Sequence, residues 1–365
     1  MFTQVLSQPL PNKGFTAITE PYSVLINYSS ITQIIVLIEH VLIDTMNKAV
    51  LIKGCVASYV HVYLLFPVNL VAIVILSRGK CALSRCISCY LVAMAASDLL
   101  VVLFDAILTR MNFLYFPICF LDMTPVCALV TCLLVGATDS SAWLTVVFTF
   151  DRCVAINYQG LKTRYCTEKT AMKVISIVWG ISCVKNIPLF FMYEPWFTTN
   201  NVPWFCKTKA FFYKSSWWKA LNWFYTILTP GVAFFLILLL NILTVRKILV
   251  ANRVRRELIS HNGEKGSDQE MENRRKSIIL LFTVSISFMI LWATYVVYFI
   301  YMQITNHSYT GYNDPVYILY ECGIMLHILS SATNTFIYAV TQRKFREEVT
   351  NVIKYPFQLI YRLVT

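Results

Sequence analysis

Seven stretches of this chain are long and apolar enough to cross a lipid bilayer. A crossing needs ~20 mostly apolar residues to span ~30 Å of hydrocarbon. Cys55–Ser77, Ile87–Leu108, Val126–Phe150, Lys173–Tyr193, Ala220–Val245, Ile278–Tyr301 and Val316–Val340 meet that requirement. Inside hydrocarbon every backbone N–H and C=O must be satisfied within the protein, so the runs are expected to be helices and not open strands. The composition agrees, with 57% hydrophobic and only 14% charged residues, against about 25% charged in a soluble domain. Disorder, collagen-like repeats and an ordinary soluble enzyme are poor readings of such a chain. The net charge of +12 could point to nucleic acid, but in so apolar a sequence basic residues mark cytoplasmic loops, and no nucleic-acid partner is expected.

The distribution of Lys and Arg sets the orientation. With the N-terminus outside, the inner joints and tail hold 21 basic residues and the outer segments 8. The sequons at Asn27 and Asn306 then both fall outside, where glycosylation takes place. Residues 1–54 read as an extracellular tail with one amphipathic helix around Ile31–Leu42, too short and too charged to span. Residues 55–340 form the spanning domain, and residues 341–365 a cytoplasmic amphipathic helix and tail. In that helix Phe345, Val349, Val352, Ile353 and Phe357 share one face, and basic residues occupy the others, a pattern suited to the inner membrane surface. The joint 246–276 reads as a flexible loop flanked by extensions of the fifth and sixth helices. Twelve Cys in 365 residues are too sparse for a disulfide scaffold. Cys86 and Cys89 form a CxxC inside an apolar run and read as packed or lipid-facing thiols.

Polar and aromatic residues inside the spans narrow the class. In order they are Asn69, Asp98, Cys127, Asp151-Arg152-Cys153, Trp179, Pro230, Phe288 with Trp292, and Asn334-Thr335-Phe336-Ile337-Tyr338. The set resembles the rhodopsin-like (class A) G-protein-coupled receptors, over about Cys55 to Phe357. The strings from Asn69 to Ser84, Phe148 to Ile156, Asn201 to Cys206 and Asn334 to Phe345 resemble divergent orphan receptors labelled probable G-protein-coupled receptor 139-like. The best-studied members of that name respond to tryptophan and phenylalanine. The expected fold is an all-α membrane protein, a seven-transmembrane helix bundle with a short amphipathic eighth helix. It is expected at the plasma membrane, with the C-terminus in the cytosol.

The resemblance implies roles for particular residues. Asp151, Arg152, Leu161, Trp292, Asn334 and Tyr338 would serve G-protein coupling and switching. A planar, permanently charged guanidinium suits that work, whereas a plain reading makes Arg152 an end-of-helix side chain reaching for water. Asp98 with Ser141, Ser331 and Asn334 would form a pocket for a sodium ion acting as allosteric modulator; the alternative is a buried hydrogen-bond cluster without an ion. Cys127 and Cys206 would form a disulfide between span three and the second outer loop. That loop is dense in aromatics, which fits either headgroup-level anchors or a lid over an apolar or aromatic ligand. Trp204, Phe205, Trp292, Tyr295 and Glu321 are the candidate ligand pocket.

Other intramembrane charges call for partners. Asp139 and Lys185 lie at matching depths and are expected to pair, because an isolated charge there is costly. Asp105 and Glu321 face either the ligand cavity or water, and His327 reads as a hydrogen-bonded core residue. The sequence also departs from the family pattern. Cys153 follows the Arg, Thr294 and Thr335 stand where prolines are usual, Leu238 where a span-five Tyr is frequent, and Arg274 where an acid often holds the span-three Arg.

The resulting reading is a receptor, not an enzyme, that couples an extracellular small aromatic molecule or peptide to a heterotrimeric G protein, with no required cofactor. A non-signalling or decoy homologue is the alternative. A transporter is disfavoured because Asp98, Asp139 and Lys185 do not make a polar path. A retinal photoreceptor lacks its Lys in span seven, and no catalytic pair recurs at matched depth for an intramembrane enzyme.

Overall fold

The computed structural model describes residues 64–81, 83–116, 118–211, 215–262, 268–305 and 314–364. The tail with Asn27 and its amphipathic helix, the first turns of span one, and the loop carrying Asn306 lie outside the described residues.

Eight helices account for the spans and the tail: α1 (Phe66–Ser77), α2 (Arg85–Val101, carried on as a wider π-helical turn over Val102–Met111), α3 (Thr124–Asn157), α4 (Glu168–Phe190), α5 (Ser216–Thr226, Ile227–Val232 and Ala233–Asn262), α6 (Asp268–Thr305), α7 (Pro315–Thr341) and α8 (Arg343–Val364). Six of them are long and apolar enough to cross a membrane, and the described part of α1 is a shorter apolar helix of 12 residues. Local chemistry fixes several starts. The Ser84 hydroxyl accepts the Ile87 N–H at 3.3 Å, Thr167 that of Thr170 at 3.2 Å, and Asp314 that of Val316 at 2.9 Å, each satisfying a donor that a first turn leaves open. The Thr167 cap is why α4 begins earlier than the apolar run. Pro125 and Pro315 occupy first turns, where no N–H is missed. α5 is broken at Thr229, whose φ of −134° and ψ of 108° are extended, the conformation favoured before a proline. α5 and α6 run well past their apolar spans, as expected for extensions flanking the loop.

α3 is the centre of the bundle and α4 an edge. The apolar window of α3 is 72% buried inside the protein and that of α4 22%. Ile177, Ile181, Val184 and Ile187 of α4 are correspondingly exposed, a face for lipid. One core cluster joins Tyr90, Leu91 and Met94 of α2 to Phe148 of α3, Tyr338 of α7 and Phe345 of α8. A second gathers Phe288, Trp292, Tyr295 and Phe299 of α6 with Ala142, Ile237 and Tyr320. Phe345 is fully buried, and Val349 and Val352 pack beside it, so the first turns of α8 rest on the bundle. Arg346 donates to the Ala339 and Val340 carbonyls at 3.0 and 2.8 Å, satisfying acceptors that the end of α7 leaves open.

Close contact of α6 with α7 depends on Gly323. A Cβ there would lie 3.1 Å from Tyr295 Cα and 3.2 Å from its N, backbone atoms that move only if the helices part. Gly323→Ala is therefore expected to destabilise the protein by about 1–3 kcal/mol, the usual cost of overpacking. Gly180→Ala, with nothing within 4 Å of its added Cβ, should be neutral. Thermal unfolding in detergent compares the two; equal melting points would refute the close-packing role.

Candidate functional site

At one end of the bundle the segment between α4 and α5 folds into two small antiparallel sheets, β1 (Tyr193–Glu194) with β4 (Lys207–Thr208), and β2 (Phe197–Thr199) with β3 (Val202–Trp204). Asn200 and Asn201 have φ of +52° and +60°. Two consecutive positive values define the two-residue turn that best matches strand twist, and Asn tolerates them. Cys206 is disulfide-bonded to Cys127 at the start of α3. The Phe205 N–H donates to the Asp122 carbonyl at 2.6 Å, and Thr124 Oγ1 donates to the Phe205 carbonyl at 2.6 Å. Trp204 makes a β-bridge with Met123. Asp122 also accepts from Asn112 Nδ2 at 2.9 Å and from the Ile118 N–H at 2.7 Å, so the connection before α3 is braced by its own carboxylate and the second loop is fastened to it.

Next to this end lies a cleft between α3, α4, α5 and α6. Its aromatic lining includes Tyr225, Trp292, Tyr295 and Phe299, and its polar lining includes Thr138, Asp139 and Lys185. Lys185 Nζ is 2.7 Å from Asp139 Oδ2, Asn186 Nδ2 donates to the same oxygen at 2.7 Å, and the Tyr225 ring lies 5.2 Å from the ammonium. Tyr225 Oη donates to the Lys185 carbonyl at 2.6 Å. The charge that α3 buries is thus met by charge, amide and ring from α4 and α5. Trp292 is 3% exposed and packs on Phe288, Tyr295 and His327 at ring distances of 4.8, 6.2 and 4.5 Å.

Deeper in the bundle Asp98 accepts from Ser141 Oγ at 2.6 Å and from Asn334 Nδ2 at 2.9 Å. Asn69 donates to the Ser331 carbonyl at 2.9 Å and accepts from Thr335 Oγ1 at 3.3 Å. Four helices are thereby linked through polar side chains that lipid could not satisfy. The donor set suits a cation: one carboxylate and a hydroxyl oxygen are hard ligands. Ser331 enters the network through its backbone carbonyl.

At the opposite end Asp151 and Arg152 form an ion pair with each other. Asp151 Oδ1 also accepts from Cys86 Sγ at 3.4 Å, and its carbonyl from Cys166 Sγ at 3.7 Å. Arg152 is 5% exposed, so its guanidinium does not reach out to water. Burial and the nearby Asp151 carboxylate push the Tyr165 hydroxyl upward. Thr149 and Ser285 hydroxyls meet at 3.3 Å, tying α3 to α6. Leu161 is exposed on the short helix Gln159–Tyr165. Tyr338 is buried, its ring edge-on to Phe345 at 6.1 Å.

The candidate ligand pocket divides. Trp292 and Tyr295 line the cleft, whereas Trp204, Phe205 and Glu321 do not. Trp204 and Phe205 are held in the loop–α3 contact, and Glu321 lies 3.6 Å from Arg110, which also pairs with Asp105 at 3.1 Å. Asp105 and Arg110 are five apart, neighbours only on the wider π-helical turn, and so this triad escaped a reading that assumed α-helical spacing. Lys185 and Thr138 were missed as cleft residues; their depth beside Asp139 was the available signal. Among the departures, Cys153 accepts from Asn157 Nδ2 at 3.1 Å, α6 runs unbroken through Thr294, and Leu238 is exposed on the bundle surface. The Arg274 side chain lies outside those described.

Lys185→Met leaves Asp139 buried beside Asn186 alone, so expression is expected to fall with a loss of about 3–5 kcal/mol of stability. The exchange Asp139→Lys with Lys185→Asp should recover most of it, since Asn186 can rotate its amide to present oxygen. Surface expression and thermal melting decide; no recovery would refute the pairing.

Comparison with known proteins follows the same lines. Residues 68–338 match the family described as 7 transmembrane receptor (rhodopsin family). Neuromedin-U receptor 2 of Homo sapiens is 24% identical over 312 residues, covering 81% of this chain and 70% of that receptor. Its Mus musculus counterpart is 25% identical over 298 residues, covering 78% and 71%. These relatives carry the class and not the narrower 139-like resemblance. From Val68 to Tyr338 the chain belongs to the rhodopsin family of seven-transmembrane receptors.

Proposed function

We propose that this receptor sits in the plasma membrane with its N-terminus outside and its C-terminus in the cytosol, and that binding of an extracellular ligand in the α3–α6 cleft activates a heterotrimeric G protein. The observation that carries the reading is the position of Trp292. It lines the cleft and belongs to the same helix as Ser285, whose hydroxyl meets Thr149 two turns nearer the Asp151–Arg152 end. A ligand that moves Trp292 biases α6 as a lever, and parting of Thr149 from Ser285 frees the region around Arg152 for the G protein. Leu161 offers an apolar contact on the same surface.

The ligand is a small aromatic molecule or a peptide. The relatives are named as receptors for neuromedin U, which makes that compound one to apply. Expression with a panel of G-protein activation sensors, with and without aromatic amino acids, peptides and neuromedin U, tests the proposal. A sensor response that Arg152→Ala abolishes at equal surface expression is expected. Silence under every condition would favour the non-signalling homologue, a reading to which Leu238, Cys153 and Thr335 lend support.

A sodium ion at Asp98, with oxygen from Ser141 and a rotated Asn334, would stabilise the resting bundle. Replacing potassium chloride by sodium chloride should raise the melting temperature of the purified receptor, and Asp98→Asn should erase the difference. A sodium effect that survives Asp98→Asn would remove the ion from this pocket.

A further inference from the structure

The cleft carries a polar wall whose hydrogen-bonding capacity is only half used. Asp139 is 3% exposed, and its Oδ2 takes both Lys185 Nζ and Asn186 Nδ2. Its Oδ1 takes no hydrogen bond among the described residues. Lys185 Nζ has three protons; it is ion-paired with Asp139 Oδ2 at 2.7 Å, and the Tyr225 ring faces the ammonium from 5.2 Å. Thr138, 1% exposed, has a buried hydroxyl with no hydrogen-bond partner among the described residues. All three residues line the cleft, together with the aromatic rings of Trp292, Tyr295 and Phe299.

This arrangement discriminates by charge. A cationic ligand group at Asp139 Oδ1 would lie beside the Lys185 ammonium, and an anionic group at Lys185 Nζ would lie beside the Asp139 carboxylate. In either case the like-charged neighbour cancels much of the attraction, while the ligand's charge loses its water. A zwitterion meets the same loss twice. A neutral group that both donates and accepts leaves the ion pair intact and uses its spare sites. Resting on the reading of the cleft as the ligand site, we infer that it takes the primary carboxamide of a neutral aromatic ligand. One amide N–H meets Asp139 Oδ1, the other Thr138 Oγ1, and the amide carbonyl accepts from Lys185 Nζ. The ring packs among the α6 aromatics.

Four probes sharing one phenylalkyl body test this on the purified full-length receptor: 3-phenylpropanamide, 3-phenylpropylamine, 3-phenylpropanoate and phenylalanine. Binding is read by ligand-observed NMR and by thermal shift, neither of which requires signalling. The amide is expected to bind at least about tenfold tighter than the others, the weight of one hydrogen bond to a charged group. Thr138→Val should weaken the amide several-fold and leave the three charged probes unchanged. Asp139→Leu combined with Lys185→Met removes both charges together, a replacement that buried pairs tolerate, and should abolish the preference. Equal or tighter binding of a charged probe, or a preference that survives the double replacement, overturns the carboxamide assignment while leaving the cleft a ligand site. Binding of none of the four up to roughly 10 mM, the range that ligand efficiency sets for such fragments, overturns both.

Discussion

A polar group facing hydrocarbon has no water to fall back on, and this single constraint orders the bundle. It forces the backbone into helices, and it then forces every intramembrane polar side chain toward the interior. α3 carries the heaviest load. Asp139, Ser141, Thr149, Asp151 and Arg152 are all on it and all buried, and the side chains that meet them come from three neighbouring helices: Lys185 and Asn186 on α4, Asp98 and Cys86 on α2, Ser285 on α6. The helix that most needs partners is the one at the centre, because only there does it find them on every side.

The same constraint gives the receptor its layered chemistry. Toward the disulfide the polar groups pair and still leave capacity facing a cleft. In the middle they join α1, α2, α3 and α7 through Asn69, Asp98, Ser141 and Asn334. At the far end Asp151 is held from the α2 side by a thiol. Trp292 and its ring neighbours connect the cleft to the core cluster of α6. A displacement of α6 therefore alters aromatic packing at one end and a hydroxyl contact at the other, with no separate relay between them.

Much of this was legible in the sequence, for identifiable reasons. Span count and helix type follow from run length alone. The Asp139–Lys185 contact followed from depth: two opposite charges at one level of adjacent spans have nowhere else to turn. The caps at Ser84, Thr167 and Asp314 lie outside the apolar runs, so run length alone did not find them. The Asp105–Arg110–Glu321 triad was not legible, because a π-helical turn changes which residues are neighbours. Trp204 and Phe205 looked like ligand contacts by aromatic content, yet they are engaged by the strand pairing and backbone contacts that fasten the loop to α3. Aromatic side chains serve anchoring and recognition equally well, so composition could not separate the two.

The sequence by itself determined that the chain forms apolar helices and which few polar groups must be hidden. Those outcomes depend on the solvent and on neighbours within a turn. The tertiary structure alone decided which residues share the cleft, that Gly323 sets the approach of α6 to α7, and that both contacts of Asp139 with Lys185 and Asn186 fall on one of its oxygens. The physical reason is that these are relations between helices, fixed by packing at the level of an ångström, and no spacing along a single chain encodes a distance across a bundle.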